Sequence, residues 1–250
     1  MRQLKILTFD IETAPSLAYV WGVWKTNVST DMMLSETYVL TWAAKWLHNK
    51  KVMGMSLRDT KAFTKDKEND KELLIELVKL IDEADIVVGH NIRRFDLAII
   101  NARCLKHGIK RPTPPAIIDT LEAVKSLKFP HKSLKGLAKS LELDDQKGDP
   151  GGISTWMDII TKDKTSAWNA MMKYNKLDVT VNEQLYLRLR PFIKSHPPVG
   201  EEGSCPTCGS FHHTVRRKSV FYGGIPRQAM ECKDCKSIYF AFKNGRTKSI

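Results

Sequence analysis

The sequence predicts an α/β fold followed by a small cysteine-bearing module. Three observations carry this. Several apolar and β-branched runs follow one another before the first helical pattern; from there helix and strand patterns alternate. Past a segment rich in Pro and Gly, four of the five cysteines form two C-x-x-C pairs.

The first run, Leu4 to Thr13, reads LKILTFDIET. It is rich in strand formers and too short for a solitary helix, so a buried strand is expected. Residues two apart on a strand share a face, which puts Asp10 and Glu12 side by side. Two ionised carboxylates on a mostly apolar strand repel each other and resist desolvation, and a hard divalent cation between them relieves both problems. The competing reading is a strand end facing water, at the turn marked by Pro15 and Ser16.

Ala18–Trp24 (AYVWGVW), Tyr38–Leu47 (YVLTWAAKWL) and Val52–Leu57 are expected as further strands, with Lys25–Glu36 a loop. Most of Tyr19, Trp21, Trp24, Trp42 and Trp46 are then assigned to the sheet core, with base stacking the alternative. Leu73, Leu77, Leu80, Ile81 and Ala84 recur at helical spacing in Asp70–Ala84, with Asn69 or Asp70 available as the cap. Ile86–Val88 is a short buried strand. Gly89–Leu105 (GHNIRRFDLAIINARCL) reads as a turn and an amphipathic helix bearing Asp96 in its first turns.

Ile117–Asp119 is a strand candidate ending in a carboxylate placed to cap the next helix, and Ser133–Leu143 is a short helix. Gly148–Gly152 is a loop without the lysine of a phosphate-binding motif. Thr165–Phe192 is helical, and its Tyr174 and Asp178 lie one turn apart on one face.

The chain carries 40 Lys and Arg against 28 Asp and Glu, a formal charge of +12. That balance favours polyanionic partners, nucleic acid first and an anionic membrane surface second. No apolar run approaches the length of a membrane span, and the N-terminus lacks a signal-peptide pattern, so an intracellular, cytoplasmic protein with no membrane partner is expected.

The motifs FDIET, GHNIRRFD and YNKLD, in this order, resemble the three exonuclease motifs of the DnaQ-like, or DEDD, superfamily. Tyr174-x-x-x-Asp178 is similar to that superfamily's Tyr variant, and Lys173 does not suit the His variant. The resemblance covers roughly residues 1–192. It implies a ribonuclease H-like mixed sheet flanked by helices and removal of nucleotides one at a time from 3′ ends, with single-stranded DNA favoured. It also implies that Asp10, Glu12, Asp96 and Asp178 bind two Mg²⁺ or Mn²⁺ ions while Tyr174 helps to place the attacking water. An all-oxygen ligand set suits Mg²⁺, and two such ions about 3.5–4 Å apart can activate water and stabilise the leaving oxygen. A phenol with a free pKa of about 10 is better suited to orientation than to taking a proton.

His90 and Asn91 are expected to hold the turn before Asp96. Phe95 stands open between core packing and contact with the terminal base, and Arg93 and Arg94 between phosphate contact and a solvated helix face.

Residues 1–194 are read as the nuclease domain, 195–204 as a linker and 205–250 as a zinc-ribbon-like domain. Cys205, Cys208, Cys232 and Cys235 give two knuckles 23 residues apart, a pattern for one structural Zn²⁺, with strands expected at Val215–Tyr222 and Ser237–Phe242. His212 and His213 are possible substitute ligands. Basic and aromatic residues interleave in this module, which suits single-stranded nucleic acid or a replication or repair protein as partner. The alternatives to a DNA exonuclease are an RNA-trimming or structure-specific nuclease on the same site, and a non-catalytic nucleic-acid-binding adaptor.

Overall fold

The structure, a computed structural model, describes residues 4–144, 151–194, 196–222, 224–241 and 247–249. The elements run β1 (Ile6–Thr13), β2 (Leu17–Ala18), β3 (Met33–Ser35), β4 (Val39–Trp46), β5 (Met53–Ser56), α1 (Lys71–Glu83), β6 (Ile86–Gly89), α2 (Asp96–His107), β7 (Ala116–Asp119), α3 (Thr120–Val124), α4 (Leu134–Ser140), α5 (Ile153–Lys162) and α6 (Thr165–Leu189). The C-terminal module adds β8 (His213–Tyr222), β9 (Ile225–Cys232), β10 (Ile238–Ala241) and β11 (Thr247–Ser249).

The central sheet has the order β5-β4-β1-β6-β7. Strand β1 pairs antiparallel with β4 and parallel with β6. The sheet is therefore mixed, with α1 and α2 serving as the crossovers that parallel neighbours require. Alternation along β1 sends Leu7, Phe9 and Ile11 to one face, where they join Leu73, Leu77 and Ile81 of α1 and Ile100 and Cys104 of α2 in the main core. Asp10 and Glu12 point the other way, towards α6. On that face Ile6, Ile86, Val88 and Ile118 pack around Tyr186 of α6. Helices thus cover both faces of a ribonuclease H-like sheet.

Helix α6 reaches the sheet closely because β5 carries Gly54, where an added Cβ would sit 2.8 Å from Met172 Sδ. Its buried face runs through Met171, Asn175, Asp178, Asn182, Leu185 and Leu189 at spacings of three and four.

The Trp-rich stretch departs from its expected place. Only Leu17–Ala18 is strand, and it pairs with Met33–Ser35 in a separate two-stranded ribbon. Tyr19, Trp21, Val23 and Trp24 are 71, 101, 98 and 83 % exposed. Strand β1 is already paired on both sides, by β4 and β6, so this segment has no place beside it. Trp42 and Trp46, by contrast, belong to β4 and pack on the main core.

Asp70 occupies the cap position of α1 without a side-chain capping bond. Its carboxylate is taken elsewhere, by the backbone N–H of Val39 at 2.9 Å and by Arg103, whose Nε and Nη2 approach to 2.9 and 2.8 Å. Helix α5, absent from the sequence reading, packs on α6 and donates Trp156 Nε1 to Thr13 O at 3.1 Å. In the loop Gly148–Gly152, positions 148–150 lie outside the described residues. Among the described residues, no helix is long and apolar enough to cross a membrane.

The C-terminal sheet has the order β11-β10-β9-β8. Strand β9 was not anticipated, since Pro226 and Arg227 interrupt its pattern. It places Cys232 at its end. Residues ahead of the module lie against the main body: Val199 packs beside Ile6, Ile86 and Tyr186, and buried His196 stacks on Tyr186 with Nε2 2.8 Å from its hydroxyl.

Candidate active site

Three of the four motif carboxylates converge directly. Ligand oxygens of Asp10, Glu12 and Asp178 lie within 4.8 Å of one another, with Asp10 and Glu12 half-buried and Asp178 buried. The elements explain this: β1 offers its i and i+2 side chains to the face that α6 covers, and Asp178 lies on the buried stripe of α6. Asp96 arrives from the other side. It is the first residue of α2 and accepts a hydrogen bond from the backbone N–H of Ile11 at 3.1 Å, between the two β1 carboxylates.

Burial, and secondarily the Asp10 charge, hold the Asp96 carboxyl well above the usual carboxylate range. A group so placed gains most from a cation alongside. Four oxygen-bearing carboxyls crowded at one sheet end are a hard-cation donor set, so the residues present fit divalent metal ions.

The turn that delivers Asp96 is built from backbone contacts. Gly89 ends β6 where a Cβ would lie 2.6 Å from Ile92 Cβ. Asn91 adopts a φ of 65°. Asp119, at the end of β7, accepts from the backbone N–H of Asn91 at 3.0 Å and of Arg93 at 3.3 Å, and also caps α3 through Leu121 and Glu122. His90 Nδ1 lies 3.0 Å from Thr120 Oγ1. His90 and Asn91 therefore hold the turn, as their positions suggested. The Arg93 guanidinium is engaged by Ile117 O and Glu122, whereas Phe95 is 41 % exposed beside Asp96.

Tyr174 lies half-buried on α6, one turn before Asp178. The sequence reading missed its neighbour Asn175. This fully buried amide donates from Nδ2 to Asp10 Oδ2 at 2.6 Å, while its Oδ1 accepts from Thr41 Oγ1 at 3.1 Å. The available signal was its place on the apolar stripe of α6, one turn from Met171 and Asp178, where an unpaired amide is costly.

The cysteine cluster is separate. The Sγ atoms of Cys205, Cys208, Cys232 and Cys235 all lie within 4.8 Å of one another, with Cys205 and Cys235 3.6 Å apart and Cys208 and Cys232 likewise. A tetrahedral zinc with bonds of about 2.3 Å has edges of about 3.8 Å, so the four thiols fit one such ion and are too far apart for disulfides. Cys104 is buried alone in α2.

Comparison with known proteins adds to this geometry. The profile of the RNase H superfamily matches residues 36–190, more than half of the chain. No curated protein sequence matches. Among solved structures, the family B DNA polymerase from the hyperthermophilic archaeon Pyrobaculum calidifontis superposes with a TM-score of 0.54 at 14 % identity, over 90 % of this chain and 32 % of that one. The chain thus spans about a third of the polymerase, and the likeness is one of fold.

Proposed function

Since the chain belongs to the RNase H superfamily, we propose that it is a metal-dependent 3′–5′ exonuclease of the DnaQ-like type, acting on single-stranded 3′ ends, DNA in preference to RNA. The observation that carries this reading is the meeting of Asp10, Glu12 and Asp178, with Asp96 tied to the amide between the first two. RNase H-like nucleases use divalent metals, and a carboxylate cluster of this kind is a donor set suited to them.

In this reading Asp10, Glu12, Asp96 and Asp178 hold two Mg²⁺ or Mn²⁺ ions. Such a pair, when bound, supplies charge neutralisation for the attacking and leaving oxygens of the phosphodiester. Asn175 fixes the orientation of Asp10 from behind. The phenol of Tyr174 orients the attacking water by a hydrogen bond rather than by removing its proton, since its ordinary pKa is about 10. In this reading Phe95, 41 % exposed next to Asp96, meets the terminal base.

We assign residues 1–194 to this nuclease domain, 195–204 to a linker and 205–250 to a zinc-ribbon domain. Four cysteines complete the zinc tetrahedron and leave no open position, so that ion is structural. Arg216, Arg217 and Lys218 on exposed β8 suit contact with nucleic acid, or with a replication or repair protein.

The test is digestion of linear and circular single strands, DNA and RNA in parallel, in Mg²⁺. Loss of the linear strands with the circles intact supports an exonuclease. Cleavage of the circles assigns a structure-specific endonuclease, faster loss of RNA assigns an RNA-trimming enzyme, and binding without turnover assigns an adaptor.

A further inference from the structure

We propose that the loop between β2 and β3 is a stacking platform for the unpaired nucleotides just 5′ of the scissile bond, with Trp21 and Trp24 as its principal residues and Tyr19 beside them. The proposal rests on the nuclease reading and names a substrate contact outside the carboxylate cluster.

The loop carries an unusual density of uncovered apolar surface. Tyr19, Val20, Trp21, Val23 and Trp24 are all exposed, Trp21 completely so. Proteins seldom leave contiguous apolar patches open unless something covers them. The ribbon beneath is two residues long on one side and three on the other, too short to use these side chains as a core. Nor is the loop slack. Thr26 Oγ1 donates to Gly22 O, Lys25 holds a φ of 48°, and the backbone N–H of Tyr19 donates to Met32 O at 2.9 Å. Those bonds tie the loop backbone at two points, which limits the backbone entropy lost on binding.

Position and charge point to the occupant. The loop follows β2, which begins four residues after the end of the strand that carries Asp10 and Glu12, and Tyr19 follows Glu12 by seven residues, hence lies within about 25 Å of it. In the proposed complex, a strand whose terminal phosphate sits at the carboxylates extends past this end of the sheet, where Phe95 is also exposed. From Ala14 to Thr30 there is no carboxylate, and Lys25 is the one charged residue. The loop's one carboxylate, Asp31, lies at its far end, seven residues after Trp24. Aromatic faces accept any base, which suits an enzyme that proceeds along a strand irrespective of sequence.

The experiment measures binding of a 5′-fluorescein-labelled oligothymidylate of about a dozen nucleotides in EDTA, where no cleavage occurs, and then its turnover in Mg²⁺. Replacing Trp21→Ala and Trp24→Ala together is expected to weaken binding by about 10-fold or more, whereas Trp21→Phe and Trp24→Phe keep most of it. On a strand with abasic sites upstream of its terminal nucleotide, wild-type protein binds more weakly and the alanine substitutions add little. Wild-type affinity in the alanine variant, or an equal loss on the abasic strand, would overturn the platform and leave the apolar loop to a protein partner. Failure of the nuclease reading shows separately, as absence of turnover in wild-type protein whatever the binding result.

Discussion

The backbone N–H of Ile11 donates to Asp96 Oδ1 at 3.1 Å, and Ile11 is the residue between Asp10 and Glu12. One hydrogen bond thereby locks the register of α2 against β1 and holds a third carboxyl beside the first two. The arrangement is electrostatically costly without a cation, because desolvation and the Asp10 charge both oppose ionisation of Asp96.

Replacing Asp96→Asn keeps an oxygen to accept from Ile11 while removing the charge. Metal-free protein at neutral pH is expected to gain stability, by about 2–4 °C in thermal midpoint for about 1 kcal/mol, while nuclease activity in Mg²⁺ falls to background. Thermal unfolding in EDTA, paired with an activity assay, checks both. A lower midpoint would show that the wild-type carboxylate is not under strain.

Asn175 holds Asp10 without belonging to the carboxylate set. Asn175→Ala is expected to lower metal affinity or turnover by about 10–100-fold, the usual cost of freeing a ligand's hydrogen-bond partner. Titration of Mn²⁺ against turnover separates the two effects. Unchanged titration and turnover would reduce Asn175 to a packing residue.

Asp70 and Arg103 form a buried pair on the far face of the sheet, where Asp70 also receives the Val39 amide and lies 2.6 Å from His107 Nε2. Asp70→Ala strands a buried guanidinium and is expected to cost about 3–5 kcal/mol. Replacing Arg103→Met in the same chain should recover part of that loss. Urea unfolding of the single and double variants measures it, and a single variant as stable as wild type would contradict the account of the pair.

Cys208→Ser removes one corner of the thiol tetrahedron. Bound zinc is expected to fall to near zero, with the helical far-UV signal kept, because every α-helix among the described residues lies before residue 190. Metal analysis together with circular dichroism reads both quantities. Stoichiometric zinc in the variant would rule out the four-thiol site.

Legibility in the sequence followed periodicity. The meeting of Asp10 and Glu12 could be read because strand spacing is two. The facing of Tyr174 and Asp178 could be read because helix spacing is close to four. The mixed sheet and its flanking helices followed from patterns of the same kind in α1, β6 and α2. The Trp-rich segment could not be read, since Val, Tyr and Trp look alike whether they line a sheet or stand in solvent, and only the pairing of β1 with β4 decides which. Asn175 and Asp70 were hidden for a different reason: each acts through a partner more than 30 positions away, Asp10 for one and Arg103 for the other.

The most direct test of the central claim is digestion of a 5′-labelled single strand in Mg²⁺ and in EDTA, with Asp10→Ala protein alongside. The account predicts a ladder shortening from the 3′ end in Mg²⁺ only, absent in the variant although the strand is still bound. Equal cleavage by the variant, or cleavage that persists in EDTA, would contradict it.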